Sequence, residues 1–200
     1  NTDRKELDKV ITREALEKIE ENEELKARKT TVLFQKDWHK GVIGIVASRC
    51  IEHYYRPTII LTESKGMAAG SARSVKGFSV YNALEQCSNL LEQFGGHKYA
   101  AGMTLKIENV AAFQKKFEEV VTKTIDPDLL IPEIEIDDEL SLSEINQKFY
   151  KILKQFAPFG PLNMKPNFLT KKVKDNGRGR YEVFDDSMHQ KVQNALKSIA

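Results

Sequence analysis

Apolar positions along the first 125 residues switch repeatedly between a helical period and short β-branched runs. From about Asp3 to Ala27 the chain is rich in Glu, Lys and Leu, and Leu7, Val10, Ile11, Ala15, Ile19 and Leu25 fall near one face of a helix. So polar a helix reads as a connector whose apolar stripe packs on a body outside the chain. T-T-V-L-F at 30–34 reads as a strand, and 41–54 as a helix stopped before Arg56-Pro57, because the residue preceding proline avoids helical angles. T-I-I-L-T at 58–62 reads as a buried strand, with Ser64-Lys65-Gly66 as the turn into a small-residue strand over 67–74. Ser79 is a good N-cap for a helix carrying Val80, Ala83, Leu84, Cys87, Leu90, Leu91 and Phe94 inward, which Gly95-Gly96 would end. A strand over 103–107 and an amphipathic helix over 110–124 complete this half.

Strand–helix–strand alternation over 30–125 predicts an α/β domain with a mixed sheet flanked by helices. Asp126-Pro127 opens a linker. Beyond it the period changes: 131–136 alternates as a strand and 143–156 reads as a capped helix. Strands over 167–174 and 180–184 are joined by the hairpin turn Asp175-Asn176-Gly177. This reads as the start of a small β-barrel that the chain does not finish. Three segments follow: a connector helix over 1–29, an α/β domain over 30–126 and an incomplete barrel over 127–200. The opening Asn and the abrupt end read as a piece of a longer protein.

Charge adds what the period cannot. The net charge is only +2, yet eight acidic residues and no Lys or Arg lie between Thr124 and Gln147. From Asn163 to Arg180 six Lys or Arg stand against Asp175 alone. Such asymmetry can make a phosphate-binding surface on a nearly neutral chain. Cys50 and Cys87 fall among apolar neighbours and read as buried free thiols, with no disulfide or zinc spacing. No apolar run is long enough to cross a bilayer and no signal peptide opens the chain, so a cytoplasmic location and no membrane partner are expected.

Three clusters could carry chemistry. In G-G-H-K-Y-A-A-G at 95–102, a helix C-cap accounts for Gly95 and Gly96, and the small residues let backbones approach. His97 is left over, and an imidazole beside exposed N–H groups makes a phosphate-oxygen site. In G-S-A-R-S at 70–74, Ser71 and Arg73 project from one face of a strand, either as a surface strand end or as a hydroxyl and guanidinium fork for phosphate. In W-H-K-G-V-I-G-I-V-A-S-R at 38–49, Gly41 opens a helix whose free N–H groups favour an anion, with His39 and Arg49 nearby; packing alone would also explain the glycine. Metal-assisted phosphodiester hydrolysis needs Asp and His ligands converging on cations, and His39, His53, His97 and His189 are scattered with no Asp-His-His or Asp-x-Asp cluster. No Walker loop, nucleophile elbow or dinucleotide fingerprint occurs.

In order along the chain, H-K-G-V-I-G-I-V-A-S-R (39–49), R-P-T-I-I-L (56–61), G-S-A-R-S (70–74), F-G-G-H-K-Y-A-A-G (94–102) and A-P-F-G-P-L-N-M-K-P (157–166) resemble the RecJ exonuclease family. The first four blocks resemble its DHHA1 domain, found across the DHH phosphoesterase superfamily, and the last the start of its OB-fold domain. The resemblance implies 5′→3′ hydrolysis of single-stranded DNA in recombination and repair, with Mn²⁺ or Mg²⁺ held by a DHH domain preceding residue 1. The chain itself would then bind no metal and cut nothing alone. Ser71 and Arg73 would hold substrate phosphate, Gly95, Gly96 and His97 would line the same cleft, and Arg49 and His39 would assist. Single-stranded DNA is the expected partner, a single-strand-binding protein a candidate second one, and a monomer the expected state. Two alternatives stand beside this reading: an oligoribonuclease or nucleotide phosphoesterase of the same superfamily, and a non-catalytic single-strand-binding or protein-docking module.

Overall fold

The computed structural model describes residues 2–171. They divide into two compact units, one running through Pro132 and one from Glu133 on. The first unit begins with α1 (Thr2–Glu20) and α2 (Glu23–Ala27), where a single helix was expected. The break falls at Asn22, whose side chain accepts a bond from Leu25 N and so starts a second helix.

Then follow β1 (Thr31–Phe34), α3 (Ile43–His53), β2 (Thr58–Ser64), β3 (Met67–Arg73), α4 (Val80–Glu85), β4 (Gln93–His97), β5 (Ala100–Leu105) and α5 (Val110–Thr124). The strands form one mixed sheet in the order β1-β2-β3-β5-β4, with only β1 and β2 parallel. Alternate side chains of β2 go to opposite faces. Ile59 and Leu61 join Phe113 and Phe117 of α5 and Val80 and Leu84 of α4 in one apolar cluster. Ile60 joins Val42, Val46 and Cys50 around α3, together with Ile11, Ala15 and Ile19 of α1, in the other. The apolar stripe of α1 therefore packs on α3, within the chain, while Leu7 and Val10 stay exposed.

The exit from α2 is clamped from two sides. Arg56 donates to Thr31 Oγ1 at 2.8 Å, to Lys26 O at 2.9 Å and to Arg28 O. Glu118 of α5 accepts from Lys29 N at 2.9 Å, Thr30 N at 3.0 Å and Thr30 Oγ1 at 2.5 Å. Burial pulls the Arg56 guanidinium below its ordinary range, and Glu118 opposes that shift. Cys50 and Cys87 are buried free thiols, pushed up by desolvation to about 12 and about 11.

Several expected elements differ. The helix begun at Ser79, which does cap it, ends at Glu85 rather than at Gly95, and residues 93–97 are an edge strand. The 3.6-residue apolar period runs on through Leu90, Leu91 and Phe94. The backbone of 93–97 is instead satisfied by pairing with β5, which sets Phe94 opposite Met103. Gly95-Gly96 is therefore no helix cap. The strand expected over 103–107 spans 100–105. Residues 131–136 form no strand: Ile131, Ile134 and Ile136 are exposed, and Pro132 has no N–H to give a ladder.

The second unit contains β6 (Asp138–Glu139), α6 (Gln147–Gln155) and β7 (Phe168–Leu169), with β6 and β7 pairing in parallel. The cap of α6 is Asn146, while Glu144 binds back to Ser141. No closed barrel forms among the described residues; of the strand expected over 167–174 only Phe168–Leu169 is a strand in the part described, and the turn at 175–177 and the strand over 180–184 lie outside it. Among the described residues no helix is long and apolar enough to cross a membrane.

Candidate nucleic-acid interface

The register of three neighbouring strands builds the site. Ser71 of β3 faces Gly102 of β5, which faces Gly95 of β4. One step along, Arg73 faces Ala100, which faces His97. Paired residues share a sheet face, as do residues two apart, so all six point the same way. Ile60 pairs with Ser71 and belongs to the α3 cluster, which identifies this as the α3 side of the sheet. Over β2 and β3 that side is covered by α3, against which α1 packs in turn. Over β5 and β4 it opens, and Gly102, Gly95 and His97 are all exposed. The result is a shelf with no side chain along its middle row beyond Ser71.

The inner wall of the shelf is the first turn of α3. Val42 caps that helix without a side-chain bond. In its first turn Ile45 N donates back to Val42 O at 2.9 Å, which leaves Ile43 N and Gly44 N at the positive dipole end. Gly44 comes so close to β3 that a Cβ built on it would lie 2.8 Å from Arg73 Nη2 and 3.0 Å from Ser71 Oγ. Arg73 donates from Nη1 to Ser71 Oγ at 3.0 Å and to Ala72 O at 2.8 Å, and no acidic side chain pairs with it among the described residues. The guanidinium is half-buried, aimed, and uncompensated. That is the electrostatic character of an anion site.

The other expected residues fall into place differently. His39 is exposed and accepts from Gly41 N at 3.1 Å, shaping the loop that enters α3, while Arg4 donates to Gly41 O at 3.0 Å. Arg49 turns to α1: its Nε lies 3.0 Å from both oxygens of Asp8, its Nη2 is 2.9 Å from Oδ2, and Thr12 also donates to that buried carboxylate. Its charge is spent on docking α1. Gly96 has φ +144° and a Cβ there would collide with Ala100 O, so the hairpin itself demands glycine. At Gly95 a Cβ would meet nothing within 4 Å, and at Gly102 only Gly70 O at 3.9 Å. Neither glycine is required by packing.

Gly44 and Gly102 were not singled out in the sequence. Each stood inside a quoted block, yet only strand register and helix placement bring them to Ser71 and Arg73. Among the described residues no group of three or more His, Cys, Asp or Glu is placed to hold a metal ion, so the donor set for a divalent metal is not found in them.

A DHHA1 domain model matches residues 27–123, the span that contains the sheet and its shelf, and that span is accordingly a DHHA1 domain. A RecJ OB domain model matches residues 136–193. Carrying these two domains in this order, the chain belongs to the RecJ family. It is 38% identical over 172 residues to the single-stranded-DNA-specific exonuclease RecJ of Bacillus subtilis, covering 84% of this chain and 22% of that protein. Against the RecJ of Escherichia coli the identity is 35% over 177 residues, covering 84% and 30%. A crystal structure of RecJ in complex with Mn²⁺ from Thermus thermophilus matches with a TM-score of 0.73 at 29% identity, over 90% of this chain and 26% of that one. A second, of the same protein in complex with Mg²⁺, matches with a TM-score of 0.72. The chain thus spans less than a third of the length of these relatives.

Proposed function

We propose that the chain is the substrate-gripping C-terminal portion of a RecJ-type 5′→3′ exonuclease acting on single-stranded DNA. The observation that carries this reading is the convergence of Arg73, Ser71 and the first turn of α3 at the head of an open, glycine-floored face. A phosphate oxygen entering there would take a charge-assisted bond from Arg73, a bond from the Ser71 hydroxyl and the field of the helix terminus. Gly95 and Gly102 leave the sugar and base of the same nucleotide room to lie on the sheet, and His97 reaches the chain from the far edge. The relatives' names supply the polymer: a single DNA strand, whose repeating phosphates match a site built for one anion at a time.

Cleavage is assigned elsewhere. Mn²⁺ or Mg²⁺ would polarise the scissile phosphate and activate water, and in this reading a DHH domain outside the chain holds it. The shelf binds and orients; the chain by itself hydrolyses nothing. The OB region would extend the grip along the strand by charge and stacking.

The test is Arg73→Ala in the full-length protein that carries this chain. Loss of a charge-assisted phosphate contact should lower kcat/KM on single-stranded DNA by about tenfold to a hundredfold with the melting temperature preserved. An unchanged kcat/KM would refute the phosphate role.

A further inference from the structure

Gly44 occupies a helical position where the helix has no use for glycine. Glycine in a helix is about 1 kcal/mol less favourable than alanine, and α3 has ordinary helical geometry through this turn. What the missing side chain provides is clearance. The atoms that a Cβ at Gly44 would meet are Arg73 Nη2 at 2.8 Å, Ser71 Oγ at 3.0 Å and Arg73 Cζ at 3.6 Å. All three are side-chain atoms and none is backbone. A methyl group at this position would therefore leave α3 docked and press instead on the guanidinium, its nearest contact, and on the Ser71 hydroxyl beside it.

The position of that guanidinium is narrowly set. Nη1 is tied to Ser71 Oγ and Ala72 O, which holds the plane against β3. Nη2 lies along the first turn of α3 and meets no acceptor among the described residues. Nη2 and the N–H groups of Ile43 and Gly44 are thus brought side by side only because residue 44 has no Cβ.

We propose that Gly44 is a positioning residue for Arg73, letting the first turn of α3 close on the guanidinium so that both address one phosphate. The proposal rests on the reading that Arg73 grips substrate phosphate, and a double-mutant cycle separates the two. In the full-length protein, Gly44→Ala should lower kcat/KM on single-stranded DNA about tenfold, mainly through KM, with the melting temperature unchanged or raised. In the Arg73→Ala background the same substitution should cost far less than about tenfold, because the guanidinium it displaces is gone and only the Ser71 hydroxyl is left beside the added methyl.

An unchanged kcat/KM in Gly44→Ala, or losses that multiply in the double variant, would overturn the positioning role. If Arg73→Ala alone has no effect, the phosphate reading itself has failed and the positioning role falls with it. Should Gly44→Ala melt early, Arg73→Lys decides. Lysine lacks Nη2, so Gly44→Ala added to Arg73→Lys should match Arg73→Lys alone in both melting temperature and kcat/KM, and a further loss in either refutes the proposal.

Discussion

Gly96 and Gly102 of the β4–β5 hairpin have different reasons to be glycine, and stability measurements should separate them. At Gly96 a side chain would collide with the Ala100 carbonyl and the backbone lies at φ +144°, so Gly96→Ala should destabilise the protein by roughly 3 kcal/mol or more. At Gly102 the backbone is ordinary and the space is open, and a strand interior favours a branched side chain over glycine. Gly102→Val should melt at the same temperature or higher while losing affinity for single-stranded DNA. Thermal melts and fluorescence anisotropy on the two variants read both effects; a Gly102→Val variant that binds normally would remove the shelf from the site. The sequence could not sort these glycines. The G-G-H block was visible, but with Gly95-Gly96 read as a helix end, both looked structural and His97 stood alone. Pairing β4 with β5 reassigns each, because face and register are tertiary properties that a local period does not carry.

The elements were legible where burial enforced a period and illegible where pairing or side-chain caps overrode it. The strands β1, β2 and β3 and the helices α3 and α5 lie where apolar spacing placed them, since each buries a face in one of two clusters. The end of α4 and the break after α1 were set by a strand ladder and by Asn22. Arg56 was seen in the sequence as part of a helix stop and of a family block, yet it holds α2 to the sheet. Its partners, Lys26 O, Arg28 O and Thr31 Oγ1, would lose their buried donor in Arg56→Ala. That variant should lose about 3 kcal/mol, a melting shift of many degrees, with far less loss from Arg28→Ala, whose ion pair with Glu24 is at the surface. Equal melting temperatures for the two would show that the clamp contributes little. The same contrast applies to Arg49: a fork on buried Asp8 is a fold contact between α1 and α3, indistinguishable in sequence from a fork aimed at phosphate.

Among the described residues the apolar core lies in the first unit, and so does the proposed substrate grip. Every residue of the two apolar clusters lies before Pro132, the furthest being Leu130. The second unit has no buried residue in α6, and Leu142, Ile152, Phe156, Leu162 and Met164 are exposed. A chain ending at Pro132 would therefore give up none of that core, and it should keep a cooperative thermal transition within a few degrees of the longer chain. It should also keep Arg73, Ser71, His97 and the first turn of α3 in place. Its affinity for single-stranded DNA would then fall only by what the OB region contributes, and would weaken steeply with added salt because phosphate contacts release counterions. Anisotropy titrations at two salt concentrations on both chains test this. Loss of cooperative melting on truncation would mean that the second unit supports the first, and intact melting with abolished binding would move the grip from the shelf to the OB region.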